Sequence, residues 1–333
     1  MNNYKICIYP GIVKDGIGSY IAGINKYLKL PIIPYIGSAL SPWFFLKKPP
    51  PNYNLIHVPH FVVPFFSSNA KIVCTIQDIT PLVFDSGFNI IKKYYLFIRI
   101  YWSIKYSDYL IFTSLNTYND VTRLFGEVKN YSIIPLAVDI ERPINNIPFL
   151  FLKDSPYFIC VGRRRPHKNT HRIIEAFASF STHTNHHLVF VGAEDKYDVR
   201  YLALAIRLGI QQRVHFVGKV SQQALSEYYS SAVGLIFPSL YEGFGLPILE
   251  AMICGCPVIT SSVASMPEVA GQAALYVDPS DVNSISSAMT FLADSEDVRK
   301  NLISKGYDQV KLFSWKESAL KTIEVYQKVL SST

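Results

Sequence analysis

Charged residues are scarce in this chain, and no apolar run is long enough to cross a membrane. Of the 333 residues, 17% are charged and 49% are hydrophobic. A membrane-spanning helix needs about 20 predominantly apolar residues, but Arg99 interrupts the most apolar stretch, residues 94–104. The first ten residues predict a short strand that Gly11 ends, whereas a secretory signal needs a longer apolar core. The sequence therefore predicts neither a membrane span nor a secretory leader.

Disulfide and metal motifs are also missing. The five cysteines are odd in number, and no two of them are spaced as C-x-x-C. Disulfide frameworks use an even number of cysteines in much smaller secreted chains. Neither a D-x-D triplet nor H-E-x-x-H occurs, so no divalent-metal motif is present. We therefore expect a reduced, cytoplasmic protein without a resident metal or cofactor.

Positive charge and aromatic residues are abundant. The formal net charge is +7, and the chain contains 22 Tyr and 21 Phe. Disordered chains are poor in aromatic residues, so this sequence predicts a folded protein. A basic balance favours anionic partners, namely nucleic acid, phosphorylated ligands or an acidic membrane surface. Charge alone does not choose among these three.

Short apolar runs alternate with helical patterns along most of the chain, which predicts an α/β fold with parallel sheets covered by helices on both faces. Strands are predicted at residues 4–9, 55–58, 72–76, 109–113, 132–134, 157–161, 187–191, 214–217, 234–237, 257–260 and 274–277. Helices are predicted at residues 90–105, 117–125, 169–182, 198–208, 222–231 and 315–330.

The alternation pauses between Val138 and Ser155, where prolines interrupt a polar stretch. We therefore predict two doubly wound domains, residues 1–150 and 151–314, which face each other across a cleft. The C-terminal helix, residues 315–333, is expected to cross back to the first domain. Ligands in such sheets bind outside the carboxyl ends of the strands.

The segment from Pro238 to Pro257 carries the most specific pattern. A strand is followed by a glycine-containing loop, and Pro247 suits the first turn of the next helix. Glycines let the backbone approach a ligand, and a helix N-terminus favours phosphate or other anionic oxygen. Glu242 and Glu250 bracket this loop, and carboxylates accept hydrogen bonds from the vicinal hydroxyls of a ribose or sugar. The alternative is a solvated Glu242 with Glu250 acting on the helix dipole.

A basic run, Arg163–Lys168, follows the predicted strand at residues 157–161 and leads into a helix. Four cations ahead of a helix could neutralise a diphosphate. The same run is also consistent with a solvated loop or a nucleic-acid contact. No nucleic-acid recognition motif occurs elsewhere in the chain, so we expect no nucleic-acid partner.

These motifs resemble family 4 of the retaining glycosyltransferases, enzymes of GT-B fold. The segment Tyr-Glu-Gly-Phe-Gly-Leu-Pro-Ile-Leu-Glu, residues 241–250, matches that family's most specific signature. The similarity continues through residues 266–271 and 277–279, and it covers the first half of the chain only loosely. The Asn-, Ile- and Tyr-rich composition and the short first domain resemble those of bacterial mannosyltransferases of surface-polysaccharide assembly.

The resemblance implies roles for individual residues. Glu250 would bind the nucleotide ribose, and Glu242 would contact the transferred sugar. Arg163 and Lys168 would stabilise the departing diphosphate, while Arg164, Arg165 and His167 stay unassigned. Further donor contacts are expected from the loop and helix start at Gly243, Phe244, Gly245 and Leu246, from the N-terminal glycines Gly16 and Gly18, and from Val217 in a base-binding strand.

Gln77 and Asp78 mark a departure from the family pattern. Many relatives have a His-Asp pair after the corresponding strand, with the histidine near the reacting carbon. Gln77 replaces that histidine, which weakens any scheme with an acid–base histidine. Gln77 could still hydrogen-bond the sugar or the acceptor. Asp78 could orient the acceptor hydroxyl, and helix capping is an equally good interpretation.

The predicted helix at residues 90–105 is amphipathic, and it combines several cations, Arg99 among them, with aromatic and aliphatic residues. Such a helix could lie on an anionic membrane surface, at the inner face of the cytoplasmic membrane. The alternative is an ordinary packed helix with solvated lysines.

The hypothesis is a metal-independent, retaining glycosyltransferase of polysaccharide or O-antigen biosynthesis. It would transfer a sugar from a nucleotide donor, with GDP-mannose as the first candidate, to a glycan or lipid-linked saccharide. Two alternatives remain: a sugar-nucleotide epimerase of the same fold, and a non-catalytic binding protein. Gln77 and the Glu242/Glu250 signature argue against the epimerase, and the four charged residues of the motifs argue against a protein without turnover.

Overall fold

The chain divides into two units, with boundaries after Ala137 and after Leu312. The computed structural model describes residues 4–10, 16–33, 51–63, 69–84, 90–143 and 155–332. Unit 1 comprises Met1–Ala137 together with Phe313–Thr333, and unit 2 comprises Val138–Leu312. The predicted domain boundary at residues 150 and 151 lies outside the described residues, and the structure divides the chain earlier, at Ala137 and Val138.

Unit 1 is a five-stranded parallel sheet with the strand order β1-β2-β3-β4-β5. A bridge from Ile8 to Ile32 extends it beyond β1. The strands are β1 (Ile6–Ile8), β2 (Leu55–Val58), β3 (Lys71–Ile76), β4 (Tyr109–Phe112) and β5 (Tyr131–Ile133). The helices are α1 (Gly16–Leu28), α2 (Thr80–Val83), α3 (Ile90–Tyr106), α4 (Leu115–Phe125) and, from the end of the chain, α12 (Trp315–Ser331).

The C-terminal helix α12 packs against the sheet of unit 1. Its Val325 and Val329 join a core cluster with side chains from β1 to β4. The buried hydroxyl of Tyr326 lies 2.6 Å from Nδ1 of His57, whose Nε2 lies 2.7 Å from Oγ1 of Thr75. Burial lowers the pKa of His57 to about 3, so the ring is neutral and hydrogen-bonded on both sides. The chain therefore returns to unit 1 through an apolar contact reinforced by a buried polar network.

Unit 2 is a six-stranded parallel sheet with the order β11-β10-β9-β6-β7-β8. The strands are β6 (Tyr157–Val161), β7 (His187–Val191), β8 (Val214–Gly218), β9 (Gly234–Phe237), β10 (Val258–Ser261) and β11 (Ala274–Val277). The helices are α5 (Thr170–Phe180), α6 (Asp198–Arg207), α7 (Gln222–Ser231), α8 (Leu246–Ile253), α9 (Met266–Ala270), α10 (Val282–Asp294) and α11 (Glu296–Val310).

The predicted α/β fold is confirmed, because the eleven predicted strands all occur in parallel sheets flanked by helices. The central strands are buried along nearly their whole length, as continuous apolar runs predict. Polar caps fix several helix starts: Ser114, Ser221 and Ser295 each accept a hydrogen bond from a backbone N–H of the first turn. Among the described segments, no helix has the length and hydropathy needed to cross a bilayer.

Candidate functional site

The candidate site of unit 2 lies where the strand order reverses. From β6 the chain continues to β7 and β8 on one side, whereas β9 pairs with β6 on the other side. The carboxyl ends of β6 and β9 are therefore neighbours, and a crevice at such a switch point is the usual ligand site of an open α/β sheet. The basic loop (residues 162–169) follows β6, and the elbow loop (residues 238–245) follows β9. The sheet thus brings the two sequence motifs to one edge.

Lys168 and Glu242 form the centre of this site. The Nζ atom of Lys168 lies 2.6 Å from Oε1 of Glu242, and both side chains are largely buried, with exposed fractions of 19% and 12%. The ammonium group also lies 4.5 Å from the ring centroid of Phe237. At Gly162 the backbone has φ +118, and a Cβ there would lie 3.6 Å from Cε of Lys168. The positive φ favours glycine here, whereas a Cβ would make only an ordinary van der Waals contact with the lysine.

The other residues of the basic loop point to different partners. Arg164 is buried and bonds both oxygens of Asp198, with N–O distances of 2.5 and 2.6 Å. Arg165 pairs with Asp195 at 3.1 Å, whereas Arg163 is exposed. The idea that four cations together neutralise a diphosphate is therefore wrong for Arg164, whose guanidinium binds α6 inside the unit.

The elbow loop is held by side chains that bind its carbonyl oxygens. The hydroxyl of Ser265 donates to the carbonyl oxygens of Glu242 and Phe244, at 3.0 and 2.8 Å. The N–H of Leu240 donates to the carbonyl oxygen of His167 in the basic loop, at 2.8 Å. Gly245 adopts φ +106 just before α8, a conformation that favours glycine. This arrangement presents the N-terminus of α8, with Leu246 as its first residue, where an anionic ligand is favoured.

Glu250 lies on α8, partly buried, beside the same loops. The hydroxyl of Tyr229, on α7, donates to Oε2 of Glu250 at 2.9 Å. Burial raises the pKa of Glu250 above its ordinary value, whereas the Tyr229 hydrogen bond and the charge of Lys168 act in the opposite direction. The carboxylate is thus a preformed acceptor close to the Lys168 ammonium group.

Asn169 joins the basic loop to two other loops. Its side-chain Nδ2 donates to the carbonyl oxygens of Pro238 and Pro279, at 3.1 and 2.6 Å, and the residue is fully buried. Its backbone is left-handed, with φ +61. Sequence reasoning placed Asn169 only at a helix start and did not find Ser265 or Tyr229. An Asn before a helix was the one available signal, because the partners of all three residues are distant in sequence.

Val217 lies in β8, the edge strand, and is half-buried. Backbone hydrogen bonds connect the carboxyl ends of β6, β7 and β8. The N–H of Gly162 donates to the carbonyl oxygen of Val191 at 2.9 Å, and the N–H of Gly192 donates to that of Gly218 at 2.8 Å. Val217 therefore lies at the same sheet edge as the basic loop, two strands away from it. Its contact with the base of the nucleotide stays a prediction.

The predicted donor glycines of unit 1 lie in the first turn of α1. Gly16 is the first residue of this helix, and Gly18 is half-buried two residues later. The loop before them, residues 11–15, lies outside the described residues. The predicted arrangement of a strand followed by glycines at a helix N-terminus is therefore present in β1 and α1, and its contact with a phosphate remains a prediction.

Gln77 and Asp78 directly follow β3. The side-chain amide of Gln77 donates to the carbonyl oxygen of Pro59 at 3.2 Å. The backbone carbonyl oxygen of Gln77 accepts a hydrogen bond from the hydroxyl of Thr113 at 2.8 Å. Asp78 Oδ1 accepts a hydrogen bond from the N–H of Thr80, the first residue of α2, at 3.1 Å. Asp78 therefore forms a local turn onto the start of α2, whose N-cap residue is Ile79 and has no side-chain capping bond. Its orientation of an acceptor stays a prediction.

Helix α3 exposes apolar residues and lysines on its outer face. Ile90, Ile91 and Tyr94 have exposed fractions of 82%, 74% and 66%, and Lys92 and Lys105 are exposed as well. Arg99, in contrast, is fully buried and donates to the hydroxyl of Tyr95 at 3.2 Å. Counting Arg99 with the surface cations of this helix was therefore wrong.

Comparison with known proteins gives close relatives and a shared fold. Residues 142–309 match the family model described as glycosyl transferases group 1. The chain is 35% identical over 173 residues to O-antigen chain mannosyltransferase B of Escherichia coli, across 51% of this chain and 45% of that protein. It is 30% identical over 239 residues to O-antigen chain mannosyltransferase RfbU of Salmonella typhimurium strain LT2, across 72% of this chain and 64% of that one. The chain thus spans between about half and two thirds of the length of these two relatives.

A solved structure has the same fold as this chain. The structure of sucrose-phosphate synthase from Thermosynechococcus elongatus superposes with a TM-score of 0.83 at 20% identity, covering 98% of this chain and 100% of that one. Two Rossmann-like units with parallel sheets define the predicted GT-B fold class. The family model covers half of the chain and includes both the basic loop and the elbow loop. The chain belongs to the glycosyl transferases group 1 family, which confirms the resemblance seen in the sequence.

Proposed function

We propose that this protein transfers a sugar from a nucleotide donor to a glycan or lipid-linked saccharide, with mannose from GDP-mannose as the first candidate. The observation that carries the proposal is the partly buried Lys168–Glu242 pair at the β6/β9 switch point, beside the N-terminus of α8. The O-antigen mannosyltransferases among the relatives support mannose transfer in O-antigen or related polysaccharide biosynthesis.

The proposed reaction proceeds with retention of anomeric configuration. The bond between the anomeric carbon and the phosphate oxygen breaks, and the acceptor hydroxyl oxygen bonds to the same face of that carbon. The acceptor's proton passes to the leaving phosphate. Negative charge grows on the diphosphate, and fixed cations and helix-terminal amides stabilise such charge more in the transition state than in the ground state.

Each of the charged residues at the site has a role in the proposed reaction. Lys168 and Arg163 face the leaving diphosphate, with the amides of the elbow loop and of Leu246. Glu250 accepts hydrogen bonds from the ribose, and Glu242 contacts the transferred sugar while holding Lys168. Because cations of the chain neutralise the leaving group, the proposal needs neither a divalent metal nor a resident cofactor, and the nucleotide sugar is a substrate.

A thermal-shift screen of GDP-, UDP-, ADP- and dTDP-sugars tests the donor assignment. A ligand that binds the folded state at 100 times its dissociation constant stabilises it by about 2.7 kcal/mol. We expect the largest increase in melting temperature with GDP-mannose, and a smaller one in a Glu250→Ala variant. An equal or larger shift with another base would contradict the GDP assignment, and release of a free epimer without acceptor would support an epimerase instead.

We also propose that α3 places unit 1 on an anionic membrane surface at the inner face of the cytoplasmic membrane. The exposed Ile90, Ile91 and Tyr94 would enter the interface, and the lysines would face anionic headgroups, each contributing about 1 kcal/mol.

Vesicle co-sedimentation tests this contact. Changing Lys92, Lys93 and Lys105 to glutamate should abolish binding to vesicles rich in phosphatidylglycerol. The matched control changes Lys300, Lys305 and Lys311 in the α11 region of unit 2 and should leave binding unchanged. Equal loss in both triple variants would indicate a non-specific charge effect, and retention by the α3 variant would contradict the proposed surface.

A further inference from the structure

Tyr229 is a buried tyrosine whose hydroxyl bonds to Glu250. The residue is fully buried on α7, and its hydroxyl donates to Oε2 of Glu250 at 2.9 Å. A neighbouring contact anchors this helix, because the hydroxyl of Tyr157 in β6 donates to the carbonyl oxygen of Tyr228 at 2.8 Å. Buried tyrosine hydroxyls usually have a hydrogen-bond partner, and the partner here is the Glu250 carboxylate, which also interacts electrostatically with Lys168.

The hydrogen bond makes the two carboxylate oxygens of Glu250 inequivalent. Among the described residues, Tyr229 is the one hydrogen-bond donor to this carboxylate. The Oε1 atom therefore keeps its lone pairs for a ligand, and Oε2 can accept one bond in addition to that of Tyr229. A glutamate side chain has several rotatable bonds, and a hydrogen bond from a buried phenol restricts the orientations of its carboxylate.

We propose that Tyr229 is a positioning residue that orients the Glu250 carboxylate toward the vicinal ribose hydroxyls of the donor nucleotide. This inference deepens the proposed function and rests on it. Tyr229 acts through Glu250 and does not touch the reacting atoms. It therefore controls donor affinity and the preference for a ribose with both hydroxyls. The rate of the chemical step does not depend on it.

The groups that face Glu250 determine how this contact depends on pH. They are Tyr229 on α7, Lys168 in the basic loop and Cys254, the residue that directly follows α8. Burial raises the pKa of Glu250, whereas the Tyr229 hydrogen bond lowers it. Removing the hydroxyl therefore raises this pKa further. As the pH falls, Glu250 becomes protonated earlier in a Tyr229→Phe variant, which loses nucleotide affinity at a higher pH than the wild-type protein.

Calorimetric titration with GDP tests the inference in four proteins: wild type, Tyr229→Phe, Glu250→Gln and the double variant. A hydrogen bond to a charged group has a free energy that corresponds to roughly tenfold in affinity or more. We expect Tyr229→Phe to weaken GDP binding about tenfold, to leave kcat at saturating donor within about twofold, and to shift the acidic limit of binding upward. In the Glu250→Gln background, the same change should have no further effect.

Two controls separate positioning from general stability. Tyr228→Phe removes the hydroxyl of the neighbouring buried tyrosine, which does not bond Glu250, and should keep wild-type affinity and pH dependence. The wild type should bind GDP more tightly than 2′,3′-dideoxy-GDP, and Tyr229→Phe should reduce this preference.

The outcomes distinguish the two proposals. Wild-type affinity in Tyr229→Phe, or equal weakening in both backgrounds, would overturn the role of Tyr229 while leaving the donor site in place. Wild-type GDP affinity in Glu250→Gln would overturn the ribose contact of the proposed function and the role of Tyr229 with it.

Discussion

Sugar transfer by a Lys168→Ala variant is expected to be slower than that of the wild type by a factor of about 100 to 1,000. Removing one preorganised group that stabilises transition-state charge typically costs this much in kcat. The change removes the ammonium group 2.6 Å from Glu242, so this largely buried carboxylate loses its ion-pair partner. The diphosphate of the donor then has one cation fewer to stabilise its charge.

Steady-state transfer of radiolabelled sugar to an acceptor measures this effect, with kcat and KM determined separately. The matched control is Lys300→Ala, which breaks an exposed pair of similar length in the same unit, with Lys300 Nζ 2.7 Å from Glu296 Oε1. Exposed pairs contribute about 0–1 kcal/mol to stability, and this variant should transfer at the wild-type rate. A Lys168→Ala enzyme with wild-type kcat would remove the lysine from the proposed chemistry.

The second large effect is expected for Asn169→Ala, this time on stability. The change removes two buried hydrogen bonds and leaves the carbonyl oxygens of Pro238 and Pro279 without that donor. Such losses cost roughly 1–3 kcal/mol for each buried group left unsatisfied. We therefore expect the unfolding free energy of unit 2 to fall by about 2–4 kcal/mol, together with weaker donor binding, because Pro238 begins the elbow loop.

An Asn169→Gly variant separates the two contributions at this position. It loses the same hydrogen bonds, but glycine tolerates the left-handed backbone at φ +61. Asn169→Gly should therefore be more stable than Asn169→Ala by roughly 0.5–1 kcal/mol, as measured by denaturant unfolding. Equal unfolding midpoints for wild type and both variants would show that Asn169 does not hold these loops together.

The sequence predicted the secondary structure and the meeting of two motifs at one sheet edge, because both depend on local patterns. Continuous apolar runs between helical patterns identified the strands of both sheets. The parallel arrangement then required the loops after β6 and β9 to lie at the carboxyl edge. The glycines and Pro247 similarly indicated the turn into α8, because their backbone preferences do not depend on tertiary contacts.

The roles of residues whose partners are distant in the chain could not be predicted from the sequence. Arg164 and Lys168 occupy one short loop, yet one binds Asp198 inside the unit and the other pairs with Glu242. Arg99 similarly continues the basic pattern of α3 but is buried. Tyr229 gave no signal, because its hydrogen bond to Glu250 depends on where α7 packs beside α8. A residue's chemistry can be predicted from its type, but its partner depends on the folded chain.

The most direct measurement is a crystal structure with the nucleoside diphosphate that gives the largest thermal shift. The diphosphate should lie within hydrogen-bond distance of Lys168 Nζ and the N-terminus of α8, with the ribose hydroxyls on Glu250. A nucleotide bound to other residues, with the Lys168–Glu242 pair untouched, would contradict this account of the site.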